Sequence, residues 1–422
     1  MGNGGYDVSH YDITLKYDVS TRSVTATTRV TAKATQDLSR FDLDFLGPLA
    51  IDSLTLNGRV TNYSREGAQE LVITPRSGLR RGSNFTVEVR YHGVPEKIDD
   101  PALGLSGWVS TSDGAVALNQ PFGAATFFPV NDTPLDKATY TFTLTVPDGL
   151  TALANGEPVG QFSWHGWTTA RWEVREPMAS ELSMVAIGRF NVKRDRDNIT
   201  AIDTALDPDD LHGKAFHDFT ATAQEWEESI FGRYPFRSTG GIIDMSGVGY
   251  ALESQGRSVY DQKDATVRES TIVHELAHQW FGDSLSPKRW ADIWLNEGFA
   301  TYTQWLYSEH IGGQTVQQRF DQVYAQPPSA GVWQGIMADP GRDHIFDSLV
   351  YSRGAMTLHV LRQRIGEETF FRLLKKWAAE NRHGNVSTLD FKAFAEKISG
   401  QDLTGLFTTW AYTAGKPASP AP

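Results

Sequence analysis

The chain contains no cysteine, which removes disulfides, thiolate metal ligands and cysteine nucleophiles together. Any metal must therefore rest on histidines and carboxylates, and histidine is itself sparse, at 11 residues. No apolar stretch approaches the roughly 18 residues of a membrane span. Basic residues form no long run and are outnumbered, 39 Lys+Arg against 51 Asp+Glu for a formal charge of -12, so neither a nucleic acid nor a membrane is expected as a partner. The opening "MGNGGYDVSHYD" has neither a charged n-region nor an apolar h-region, and no targeting peptide is visible. A Gly-rich lead of this kind is compatible with a secreted, trimmed mature form and equally with a bacterial cytoplasm.

What is present is ordinary globular material, 40% hydrophobic and 21% charged over 422 residues, enough for two or three domains with cores of their own. From Tyr11 to about Phe190, runs such as "YDITLKYDV", "NFTVEVRYHG" and "KATYTFTLTVP" alternate with a period of two and are broken by NG, DG and Pro. That pattern predicts antiparallel strands and hairpins, hence an N-terminal all-β domain over 1–190. Beyond it the apolar spacing turns helical, at Lys214 to Phe231, Thr266 to Phe281 and Leu295 to Ile311, predicting a second, mainly helical domain over 191–414. Residues 415–422 read as a Pro/Ala tail with little to bury.

One stretch, "TIVHELAHQW", sets His274 and His278 four positions apart, so a helix presents both imidazoles on one face. Glu275, rotated by about 100°, sits beside that point, where a carboxylate can take a proton from a metal-bound water. The plainer alternative is a core helix with Ile272, Val273, Leu276, Ala277 and Trp280 as its apolar face. A third ligand favours the metal: eighteen residues separate His278 from Glu297, in the helical segment "WADIWLNEGFATY". A turn between two such helices can bring the carboxylate to a third corner and leave a fourth open for water.

The H-E-x-x-H, eighteen-residue, Glu pattern inside "HELAHQWFGD" and "WLNEGFATY" resembles the gluzincin metallopeptidases of the M1 aminopeptidase family. Three further segments follow the family order. "YALES" at Tyr250 to Ser254 stands where the family carries G-x-M-E-N, "VYSRGA" at Val350 to Ala355 resembles its catalytic tyrosine segment, and "NQPFGAATFFPVNDTPLDKATY" its substrate-facing strand. In "YALES" Tyr250, Leu252 and Ser254 replace glycine, methionine and asparagine; Ala251 and Glu253 keep typical residues. The resemblance implies a saddle-like N-terminal antiparallel β domain and a thermolysin-like α/β, mainly helical catalytic domain, in a short form lacking the family's C-terminal helical domain and so with a more open cleft.

By that resemblance one Zn2+ sits on His274, His278 and Glu297, Glu275 is the general base, and Tyr351 donates to the developing oxyanion. Glu253, with Gln120 as a second contact, would hold the free α-ammonium of a peptide substrate. Asp292 and Asn296 are candidates for orienting the imidazoles, and both could equally be helix-start residues. The expected activity is a zinc aminopeptidase acting on peptides, as a monomer. Two alternatives stand beside it: a mixed amino- and endopeptidase trimming a longer leader segment, and a non-catalytic peptide-binding module on the same fold.

Overall fold

The structure, a computed structural model, describes residues 2–418; the last four residues of the expected tail lie outside it. The described chain divides into two compact units, one of residues 2–100, 104–217 and 236–266, the other of 101–103, 218–235 and 267–418. No helix among the described residues is long and apolar enough to cross a membrane.

The first unit is built of sheets. Its largest has eight strands, in the order Glu157–Trp164, Trp167–Met178, Ala138–Pro147, Tyr6–Asp18, Ser23–Ala34, Asn84–Gly93, Ala50–Leu56 and Arg59–Val60. Alternation in the sequence becomes alternation in burial: Tyr11, Ile13, Leu15 and Tyr17 point inward from one strand, Tyr140, Phe142 and Leu144 from its neighbour. Tyr11 and Tyr140 stack at 5.0 Å between ring centroids. The expectation of wholly antiparallel pairing needs one correction. Tyr6–Asp18 runs parallel to Ala138–Pro147, with His10 opposite Thr139, a long-range pairing that local alternation cannot encode.

A second sheet orders Thr151–Ala154, Val185–Gly188, Ala115–Leu118, Gly104–Ser110 and Lys97–Asp100. A third is mixed, with Asn198–Asp203, Thr239–Asp244 and Ser258–Asp261 parallel to one another. Its last strand, Ala251–Leu252, pairs antiparallel with Val259–Tyr260 and leads directly into Glu253.

The helices in chain order are α1 (Gly213–Phe231), α2 (Glu269–Ala277), α3 (Trp294–His310), α4 (Val316–Tyr324), α5 (Ser348–Ile365), α6 (Glu367–Glu380), α7 (Thr388–Ser399) and α8 (Thr404–Trp410). The second unit packs α2 on α3 and α3 on α5 around buried Trp280, Trp294, Trp333, Trp377 and Trp410. The start of the tail does bury: Pro417 is buried and its carbonyl accepts a hydrogen bond from the Tyr324 hydroxyl at 2.8 Å.

The β unit also encloses carboxyls. Asp132 accepts from the Ser180 hydroxyl at 2.7 Å, and its own N–H donates to Asp44 at 2.9 Å. Burial pushes Asp132 up to about 7 and Glu181 up to about 8. Groups raised above their unfolded values stabilise the fold fully below those values, and the contribution is lost as pH rises through the folded ones. The thermal midpoint of the native protein should therefore fall between about pH 5 and pH 8, and Asp132→Asn should flatten that slope. An unchanged slope would mean that Asp132 is ionised in the folded state.

Candidate metal centre

Helix α2 carries His274 and Glu275, and His278 closes the helix with helical dihedrals of φ -60° and ψ -26°. The two imidazoles project from one face, their ring centroids 4.8 Å apart. Glu297 arrives in the first turn of α3, where the helix dipole favours a negative side chain. Its Oε2 lies 3.3 Å from His274 Nε2 and 3.4 Å from His278 Nε2. One ligand atom from each of the three side chains lies within 4.8 Å of the other two. The side chains of His278 and Glu297 are 1% and 3% exposed and that of His274 is 12% exposed, so the point is largely dry but reachable from one side.

Burial alone would raise the Glu297 carboxyl. The nearby imidazoles more than offset it and lower it to about 2, so the group is an anion throughout the neutral range. His278 Nδ1 stands 3.3 Å from the Phe281 carbonyl. A carbonyl only accepts, so Nδ1 carries a proton in that bond, and Nε2 is the nitrogen left to face a metal. Two imidazole nitrogens and a carboxylate oxygen converging in this way fit zinc with one coordination position left open.

The residues around this point divide. Glu275 is buried, at 5% exposure. Tyr351, at the start of α5, lies nearly parallel to the His274 ring, 6.1 Å between centroids and 16° between planes. Asp292 does not orient an imidazole. It accepts from the Thr388 N–H and hydroxyl at 2.9 and 2.7 Å and from Arg289 at 3.2 Å, which secures the first turn of α7. Asn296 is buried, its Oδ1 unpartnered. The turn after His278 passes close to it: a Cβ on Gly282 would stand 3.2 Å from Asn296 Nδ2 and 3.3 Å from His278 Nδ1. The hydrogen bond that orients His278 thus comes from a backbone carbonyl, which no side-chain motif reveals.

In the first unit, Gln120 Nε2 donates to Glu253 Oε1 at 2.6 Å, joining residues 133 positions apart. This amide offers its nitrogen to the carboxylate and so keeps its oxygen for another donor. Glu253 is 3% exposed. Tyr250, in the place of the family glycine, donates its hydroxyl to the Leu105 carbonyl at 2.5 Å and so fastens the segment that leads to Glu253.

Two glycines set the distance between α3 and α5. A Cβ on Gly354 would meet Gly298 Cα at 2.7 Å, and one on Gly298 would meet Gly354 Cα at 2.8 Å. Gly298 follows Glu297 directly, and Gly354 lies one turn after Tyr351. An isolated glycine inside each helical segment was the available signal, since glycine there costs about 1 kcal/mol against alanine and calls for a packing reason. Gly354→Ala is expected to cost about 1–3 kcal/mol in urea unfolding; unchanged stability would show that the two helices separate freely.

The peptidase M1 N-terminal domain matches residues 8–182, and the peptidase family M1 domain matches residues 251–410. Among curated relatives, the chain is 24% identical to Aminopeptidase 2, mitochondrial, of Saccharomyces cerevisiae over 97% of its own length and 46% of that protein's. It is 27% identical to Aminopeptidase N of Streptomyces lividans over 88% of its length and 46% of the relative's. The chain thus spans less than half the length of these two proteins. Among solved structures, an M1 zinc metallopeptidase from Deinococcus radiodurans superposes with a TM-score of 0.89 at 28% identity, covering 100% of this chain and 97% of that one. A variant from the same organism, bound to a Tyr-Ser-Ala substrate, gives 0.86 at 27% identity, covering 100% and 98%.

Proposed function

The chain belongs to the M1 peptidase family, and from that premise we propose that it is a zinc aminopeptidase removing residues one at a time from peptide N-termini, with residues 191–414 as its catalytic domain. The observation that carries the reading is the convergence of His274, His278 and Glu297, one ligand atom from each within 4.8 Å of the others. A zinc ion on these three side chains would supply a Lewis acid and lower the pKa of a bound water.

The remaining work falls to protein groups. Glu275, adjacent to the first histidine and shielded from solvent, takes the proton of the attacking water and returns it to the leaving amine. Tyr351, held beside the His274 ring, donates its hydroxyl to the oxygen on which negative charge develops. Glu253 supplies a charge-assisted bond to the substrate's α-ammonium, and the Gln120 amide holds that carboxylate while its oxygen accepts a second ammonium proton. Anchoring the amine in this way fixes which peptide bond is presented to the attacking water.

Glu275→Gln should retain bound zinc while turnover falls by about 10²- to 10⁴-fold; near-normal turnover would overturn the base assignment. A ten-residue peptide supplied with a free and with an acetylated N-terminus, its products read by mass spectrometry with and without chelator, tests the activity itself. Stepwise shortening of the free form alone, abolished by the chelator, is expected. Internal cleavage of the acetylated form would make the enzyme at least partly an endopeptidase. Failure to take up zinc would leave a peptide-binding module.

A further inference from the structure

Arg353 lies on α5 two residues after Tyr351 and is fully buried, with 0% exposure. A guanidinium shut away from water needs its charge and its N–H donors met by the protein. Arg353 meets them with main chain. Nε donates to the Trp410 carbonyl at 2.9 Å, Nη1 to Gly415 at 3.0 Å, and Nη2 to Thr409 at 3.0 Å and Thr413 at 2.6 Å. Thr409 and Trp410 are the last two residues of α8, where carbonyls lack intrahelical partners and the helix dipole is negative. The acceptor segment is itself fixed: the Gly415 N–H bonds to the Trp333 carbonyl and the Ala338 N–H to the Ala411 carbonyl, each at 3.0 Å.

Residues two apart on a helix point about 200° from one another. Arg353 therefore grips the side of α5 opposite to Tyr351, whose ring lies against His274. Gly354 pressed on Gly298 sets how close α5 comes, and the guanidinium clamp sets how far it is turned about its own axis. Side-chain tips stand about 5–6 Å from a helix axis, so a rotation of about 10° carries one by about 1 Å. A misplacement of that size is enough to cost about 10²-fold in rate.

We infer that Arg353 is a positioning residue for Tyr351: by holding the rotation of α5 against the backbone of residues 409–415, it fixes where the tyrosine hydroxyl stands over the His274, His278 and Glu297 site. The inference rests on the reading of Tyr351 as the oxyanion donor. It also makes residues 409–415 a working part of the catalytic apparatus.

The test measures kcat and KM of Arg353→Met and Arg353→Lys in the full chain, each alone and combined with Tyr351→Phe, with zinc content and thermal midpoint followed in parallel. Arg353→Met is expected to lower kcat on the order of 10- to 100-fold with KM and zinc content little changed. Arg353→Lys, with three donors in place of five, should recover part of that loss. Neither substitution should slow the enzyme further once Tyr351 is Phe. Losses that multiply in the Tyr351→Phe background, or that fall on KM or zinc content, overturn the inference while leaving the role of Tyr351 intact. If Arg353→Met does not fold, Arg353→Lys carries the same comparison. Native turnover by Tyr351→Phe alone is the separate result that removes the tyrosine reading and this inference with it.

Discussion

Two helices that touch backbone to backbone control the geometry of the second unit. Because Gly298 and Gly354 carry no side chains, α3 and α5 approach until main-chain atoms are in contact. Glu297 and Tyr351, each within one turn of that crossing, inherit their separation from it. Flexible side chains at the crossing would let the helices adjust by fractions of an ångström, and the carboxylate and the hydroxyl would drift with them. Packing of α2 against α3 then fixes the third side, so that two imidazoles meet one carboxylate without any of these side chains having to search for the others.

Buried charge is handled in the same economical way in both units. Arg257, four residues after Glu253 and fully buried, donates to the carbonyls of Ile199, Ala154 and Gly156. Arg353, two residues after Tyr351, does the same with the end of α8. In each unit a guanidinium ties the element bearing a proposed functional side chain to backbone far away in sequence. Main-chain acceptors do not titrate, so these anchors hold over the whole range in which carboxylate partners would be protonated and lost.

Legibility in the sequence followed the range of the information. The spacing of His274, His278 and Glu297 is legible because helix geometry converts it directly into a point in space, and period-two alternation is legible because a strand converts it into a buried face. Asp292 stands in the neighbourhood that the motif suggests, yet its oxygens serve Thr388 on α7, a partner 96 positions away that no local pattern names. The Phe281 carbonyl that orients His278 and the four carbonyls that hold Arg353 are invisible for a simpler reason: every residue has a carbonyl, and only the fold selects which ones matter. The tail shows the same limit, since composition reads Gly415 to Pro417 as unconstrained while Arg353 and Tyr324 hold its carbonyls.

The parallel seam in the eight-stranded sheet has a consequence for the order of assembly. Tyr6–Asp18 can close a hairpin with Ser23–Ala34 as soon as both have formed, but its other edge pairs with Ala138–Pro147. Contacts across that edge, such as His10 with Thr139, span 129 positions. Closing so long a loop before any contact rewards it is slow. On the ribosome the first hairpin therefore waits with one row of backbone donors and acceptors unpaired, beside inward-facing Tyr11, Ile13 and Leu15, until more than a hundred further residues have been made. An open edge of that kind can pair with a neighbour during synthesis, and burying it inside the finished sheet removes the hazard only at the end.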